Sequence, residues 1–268
     1  MLILGMGYSG AWLAERLRAQ GWQVTGIQRT ARADAPAFDD HAAVTALIGQ
    51  ASHILSSVPP DAEGDPVLRH YGDALRAAPA SWIGYLSSTG VYGDTKGAWV
   101  DESAPIGTGR RTARAQADCD WQRLRADVRI FRLPGIYGPG RSALDRVREG
   151  KAHRLNLPEQ IFSRVHVDDI AGGVIASFAG PAGIYNLADD LPCSQNRVIE
   201  AACDLLGQPW PRLQSLDEAG LSPMARAFYA ENRRVANGKA KRLLGWQPQY
   251  PTYRDGLRAC LTHEKGQE

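Results

Sequence analysis

Short apolar runs alternate with amphipathic stretches through the first half of the chain, and the alternation predicts parallel β–α–β units. Leu2 to Leu4 is a compact apolar run. From Ala11 to Gln20 the apolar residues shift to helical spacing, with Trp12, Leu13 and Leu17 along one face, and Gly21 stops the helix. Trp22 to Ile27 then reads as a second strand. A strand, a helix and a strand within about 30 residues form one parallel crossover unit. The pattern continues. His53 to Val58 is a strand ended by Pro59-Pro60, Pro66 to Ala78 is helical, and Trp82 to Ser87 is a strand. Thr112 to Arg125 is helical, and Val128 to Leu133 is a strand stopped by Pro134-Gly135. Such a chain is an α/β protein, a doubly wound parallel sheet (Rossmann) covered by helices on both faces.

Beyond Pro134 the pattern weakens. Ile161 to Val167 is extended, Asp169 to Ala179 is helical, Ile184 to Leu187 is a strand, and Ser194 caps a helix running to Leu206. Prolines punctuate short helical stretches in the last 60 residues or so. The expected division is the parallel-sheet domain over 1–135, completed by about 161–190. A smaller C-terminal lobe takes 136–160 and 191–268.

Composition narrows the class without naming a function. Hydrophobic residues make up 44% and charged residues 22% of the chain, an ordinary globular balance. A net charge of +2 gives no case for nucleic acid or an anionic membrane as partner. No apolar run approaches the roughly 20 residues that span a bilayer. The apolar N-terminus lacks a basic leader and reads as a buried strand, not a signal peptide. Cys119, Cys193, Cys203 and Cys260 lie far apart, so a zinc site or redox dithiol is not expected, and a reducing cytoplasmic setting is.

The candidate chemistry starts at Gly5-Met6-Gly7-Tyr8-Ser9-Gly10, a G-x-G-x-x-G run between the first strand and the first helix. Gly5 permits a tight turn, Gly7 lets a pyrophosphate approach the backbone, and Gly10 lets helix and strand pack closely. The N–H groups of Tyr8, Ser9 and Gly10 then face the anion. At the end of the second strand an acidic residue would select NAD(H). This chain has Arg29 and Thr30 there, which favours NADP(H) through an arginine–phosphate pair. Asp39-Asp40 reads as a helix cap, not a ribose ligand.

Four further segments carry a resemblance. Tyr85 to Asp94 (YLSSTGVYGD), Leu133 to Arg141 (LPGIYGPGR), Val165 to Ala171 (VHVDDIA) and Gly245 to Pro248 (GWQP) follow the glycine loop in order. Together they resemble the NAD(P)-dependent epimerase/dehydratase family, the extended branch of the short-chain dehydrogenase/reductase superfamily. The resemblance implies that Ser88 hydrogen-bonds the reacting oxygen. It places Ser57, Val58 and Pro59, after the fourth strand, beside the nucleotide. It puts Pro134, Gly135 and Ile136 near the nicotinamide, and Thr89, Tyr92, Arg110, Arg141, Arg164 and His166 around a small-molecule substrate. A homodimer through the helices that include Pro66 to Ala78 and Thr112 to Arg125 also follows from it. Asp168 and Asp169 read as residues of a helix N-terminus.

One family feature is missing. The Tyr-x-x-x-Lys pair, which relays a proton during hydride transfer, has no counterpart, because Tyr137 is the only tyrosine or lysine between Gly97 and Lys151. The best alignment puts Arg110 at the tyrosine and Arg114 at the lysine position. Arg114 can serve as the cation that holds the ribose. Arg110 cannot act as an acid, because a guanidinium keeps its proton near neutral pH. The expected function is an NAD(P)-binding oxidoreductase or epimerase acting on a polar, phosphorylated or nucleotide-linked metabolite. The alternatives are an NADP(H) sensor without turnover and a structural factor that merely keeps the fold.

Overall fold

A computed structural model describes residues 1–107 and 112–265. Six strands form one parallel sheet: β1 (Leu2–Leu4), β2 (Thr25–Ile27), β3 (His53–Ser56), β4 (Trp82–Ser88), β6 (Val128–Leu133) and β10 (Gly183–Asn186). Their order is β10-β6-β4-β3-β1-β2. The register is regular: Leu2 lies opposite Thr25 and Ile54, and Ser88 opposite Leu133. A sheet buried on both faces needs apolar side chains at odd and even positions alike. Thus Ile83 and Tyr85 of β4 join one core cluster, while Trp82 and Leu86 join the other.

On one face pack α2 (His41–Gln50), α3 (Pro66–Ala77) and α4 (Thr112–Leu124). On the other lie α1 (Tyr8–Ala19), α6 (Val167–Ala176) and part of α9 (Gly238–Leu244). A third apolar cluster joins α5 (Ala143–Arg148), α7 (Gln195–Leu206) and α10 (Tyr253–Lys265). Three short parallel pairs tie the later segments down. They are β5 (Trp99–Val100) with β12 (Arg234–Val235), β7 (Gly135–Tyr137) with β9 (Arg164–His166), and β8 (Arg154–Leu155) with β11 (Leu213–Gln214). The helix α8 (Pro223–Phe228) precedes β12.

The caps explain several boundaries. Asp40 accepts the Ala43 N–H at 3.1 Å and starts α2, the capping role expected of Asp39-Asp40. Asp65 accepts the Val67 and Leu68 N–H groups, with Pro66 in the first turn of α3. Ser194 caps α7. Asp168 and Asp169 lie in the first turn of α6. Two expectations are corrected. The first helix begins at Tyr8, within the glycine run, not at Ala11. Ser57 to Pro59 follow the third strand, because only β2 lies outside β1 on that side of the sheet. The chain passes from β1 outward to β2 and returns to β3, so the order reverses at β1, between β2 and β3. In parallel sheets a crevice for ligands opens at such a reversal, outside the carboxyl ends of the strands.

Candidate nucleotide and substrate cleft

Four loops meet at the carboxyl ends of β1, β3, β4 and β6. The first is the glycine run. Gly5 has φ +97, a conformation open to glycine, and its N–H donates to Ile27 O at 2.9 Å. A Cβ on Gly10 would sit 2.5 Å from the Gly5 carbonyl oxygen, so only glycine lets α1 start this close to β1. Gly7 differs. It is exposed, and a Cβ there would meet nothing within 4 Å. It stands at the N-cap of α1 with no side chain capping the helix and no acidic residue in the first turn. The uncapped donors and the positive end of the helix dipole therefore face open space, which fits a pyrophosphate.

The second loop supports the first. The Ser57 hydroxyl donates to the Gly5 carbonyl, and the Ser57 N–H to Leu4 O at 2.8 Å. Val58 packs beside Gly5, and Pro59 is exposed. The Tyr8 hydroxyl donates to Pro139 O at 3.0 Å, and Arg141 lies over the Tyr8 ring at 5.6 Å. Gly138 makes this bridge possible, since a Cβ there would lie 2.5 Å from the Tyr8 oxygen. Arg141 is exposed at the rim. At the end of β2, Gln28 Nε2 donates to Met6 O at 2.8 Å, which seats the exposed Arg29 and Thr30 beside the glycine run.

Ser88 ends β4 and caps the turn Thr89–Tyr92, its oxygen accepting the Gly90 N–H at 3.1 Å. Its own hydroxyl hydrogen remains available to donate. A cleft of about 550 Å³, open mouth included, is lined by Ser88, Thr89, Pro134 and Gly135 on one side and by Phe162, Phe228, Glu231 and Arg233 on the other. Gly135 is held there by its N–H bond to Ser163 O at 3.2 Å. Ile136 continues β7 next to it.

Beneath Ser88 lies a buried polar network. Arg132 donates to both oxygens of Asp118 at 2.8 and 3.0 Å, and the Ser87 hydroxyl donates to Asp118 at 2.6 Å. Tyr92 donates to Asn186 Oδ1 at 2.8 Å and accepts from Arg132 at 3.1 Å. This fixes α4 against β4, β6 and β10. Asp118, one turn beyond Arg114, is a partner for Arg132 and not a free carboxylate. Arg114 lies on the first turns of α4, near enough to the Tyr85 phenol to oppose the rise that burial imposes on it.

Other expected contacts are not gathered in the cleft. Arg164 is buried, and its donors serve Phe162 O, Cys193 O and Gln195 Oε1. Its cost of burial is met inside the fold, so it does not face a substrate. His166 is buried between Tyr137 and Tyr250, with ring centroids 5.2 and 4.3 Å away. Its Nδ1 accepts the Asp168 N–H at 3.2 Å, and burial lowers it to about 4, so the ring stays neutral and packed. Tyr92 is buried too, and burial raises its phenol. Neither His166 nor Tyr92 lines the cleft as a proton donor. Arg110 lies outside the described residues. Phe162, Phe228, Glu231 and Arg233 were not expected. They fall in segments without a motif, and the last two reach the cleft through long-range ties: the pairing of β12 with β5, the Thr95 and Gly97 N–H bonds to Asn232 O, and the Arg233 bond to Gly93 O.

No protein-family model matches the chain. A 3-diazoavenalumate denitrifying reductase from a Streptomyces species is 30% identical, the match covering 94% of this chain and 96% of that protein. Among solved structures, a functionally unknown conserved protein from Silicibacter pomeroyi is 40% identical with a TM-score of 0.88, over 98% of both chains. A candidate NAD-dependent epimerase/dehydratase from Methylobacillus flagellatus is 26% identical with a TM-score of 0.75, again over 98% of both chains. With a glycine run at the sheet's reversal point and a serine at the end of β4, the chain belongs to the NAD(P)-dependent epimerase/dehydratase family of the short-chain dehydrogenase/reductase superfamily.

Proposed function

We propose that the protein is an NAD(P)H-dependent oxidoreductase that reduces a small polar metabolite without a tyrosine–lysine relay. The observation that carries this reading is the uncapped start of α1 at Gly7, which opens at the reversal point of the same sheet whose later strand ends bring Ser88 and Gly135 to a cleft. Tyr8, Ser9 and Gly10 would hold the pyrophosphate. Ser57, Val58 and Pro59 would flank the nucleotide, Pro134, Gly135 and Ile136 would border the nicotinamide, and Arg114 would hold the ribose. A bound dinucleotide supplies or accepts hydride; Ser88 donates a hydrogen bond to the oxygen that gains charge. The Streptomyces relative is named as a reductase, which supports reduction over epimerisation. The phosphorylated or nucleotide-linked substrate expected from the arginines gains less support, because Arg164 is buried and its donors are taken inside the fold. A second reading, a dinucleotide sensor without turnover, is favoured by the arginines at the relay positions.

Arg29 and Thr30, exposed beside the glycine run, favour NADP(H) over NAD(H). Thermal-shift titration tests both statements. NADPH at about 100 times its Kd adds roughly 2.7 kcal/mol to stability. Gly7→Asp should abolish that gain, and Arg29→Glu should weaken NADPH while sparing NADH. A melting curve unmoved by either nucleotide overturns the reading. The groove between α3 and α4, which Arg69, Gly72, Arg76, Asp120 and Arg123 line, is the proposed homodimer face. Light scattering at micromolar concentration should give twice the mass of one chain.

A further inference from the structure

The wall of the cleft facing Ser88 is built from aromatic rings and one ion pair. Phe162 and Phe228 stack with centroids 4.7 Å apart and 11° between their planes. Tyr229 stands edge-on to Phe162 at 5.5 Å. Phe162 is buried, whereas Phe228 lines the cleft and is 43% exposed as a residue, so it keeps surface without protein cover. An aromatic left half uncovered beside a polar cleft is a surface for another flat ring.

The polar end is Arg233. Its Nη1 carries both of its bonds, to Gly93 O at 2.6 Å and to Glu231 Oε2 at 2.9 Å. Among the described residues its Nε and Nη2 donors make no bond, which leaves a forked edge of the guanidinium for a ligand. The pair is held in place by its backbone. Gln160 Nε2 donates to Glu231 O at 2.8 Å, the Asn232 N–H to Asp94 Oδ1 at 2.9 Å, and the Arg234 N–H to Ala98 O at 3.0 Å. A diphosphate would ask for several converging cations. The described lining offers one guanidinium, already partly neutralised by Glu231.

The geometry points to a small planar aromatic or conjugated carboxylate as the substrate. Its ring lies against the open face of Phe228, its carboxylate takes the forked edge of Arg233, and its reacting end reaches Ser88. This deepens the nucleotide-dependent reading of the same cleft and rests on it.

Binding alone tests the assignment. 4-Hydroxycinnamate, cyclohexanecarboxylate and UDP-glucose are titrated by calorimetry into the full-length protein, with and without NADPH. The aromatic acid should bind more tightly than the saturated one, and UDP-glucose most weakly. Phe228→Leu and Arg233→Gln should each weaken 4-hydroxycinnamate by about tenfold, with NADPH affinity unchanged. Phe228→Leu keeps an apolar side chain at a half-exposed site, so its melting temperature should hold and it decides the matter if Arg233→Gln unfolds. NADPH uptake with no aromatic preference, or equal binding by Phe228→Leu, overturns the assignment. Aromatic-acid binding without NADPH uptake overturns the nucleotide reading instead and leaves the acid site standing.

Discussion

Arg132 and Asp118 form an ion pair with almost no solvent contact, their side chains 2% and 0% exposed. The desolvation of two such charges offsets most of their attraction, so the pair specifies a position more than it adds stability. Removing one partner leaves the other unpaired. Arg132→Met should therefore cost about 3–5 kcal/mol in urea unfolding. Replacing both, Arg132→Met with Asp118→Leu, should recover most of that loss. Recovery of stability without recovery of Ser88 geometry would show in ligand binding, because Ser87 donates to Asp118 and Ser88 follows it in β4. Along the sequence Asp118 is simply an acidic residue one helical turn past Arg114. Its partner lies on another element, and nothing in spacing along the chain connects residues 118 and 132.

At the scale of elements, the glycine run was legible because each glycine has a separate steric reason, and the structure shows those reasons at Gly5 and Gly10. Gly10→Ala places a methyl group 2.5 Å from the Gly5 carbonyl oxygen. The backbone must shift, which should cost about 1–3 kcal/mol by chemical denaturation and weaken dinucleotide binding together. Gly7→Ala, with nothing within 4 Å of the added carbon, should leave stability nearly unchanged. The strands of the central sheet were legible for a related reason: burial on both faces leaves unbroken apolar runs such as Trp82 to Leu86. The cleft's far wall was not legible. β12 has two residues and pairs with a two-residue strand more than 130 positions earlier, and so short a ladder leaves no period to read. Arg164 and His166 misled for another reason. His166 lies in a segment that carries family resemblance and Arg164 just before it, but both side chains turn inward, where burial and backbone partners use them structurally.

For the whole molecule, opposed buried groups set the response to pH. Burial pushes Asp189 up to about 7, with one carboxylate oxygen lacking a partner among the described residues, and pushes Asp169 up to about 6. An acid raised on folding lends stability that is complete below its unfolded pKa near 4 and is lost as pH rises through its folded value. His166, lowered to about 4 by burial, does the reverse. Its contribution is complete above about 6.5 and is lost as pH falls through 4. The two trends oppose each other between pH 4 and 7, which flattens the native profile. Asp189→Asn removes one of them. Its stability gain over the native chain should grow from near zero at pH 4 to a plateau above pH 7, of order 4 kcal/mol, read from urea midpoints. A gain independent of pH would contradict the assignment of Asp189.

No described helix is long and apolar enough to cross a membrane. The cleft is instead shaped by a stitch between distant segments: Thr95 and Gly97 N–H groups both donate to Asn232 O, and Arg234 and Ala236 bond back to residues 98 and 100. With that seam closed before any ligand arrives, little ordering entropy is left for the ligand to overcome at the wall. Access then falls to Phe228, at the end of a six-residue helix, whose ring can swing on a side-chain timescale while the seam stays shut. Discrimination among ligands would then rest on that ring together with the fixed guanidinium of Arg233, and exchange of one ligand for another would proceed without unzipping the chain.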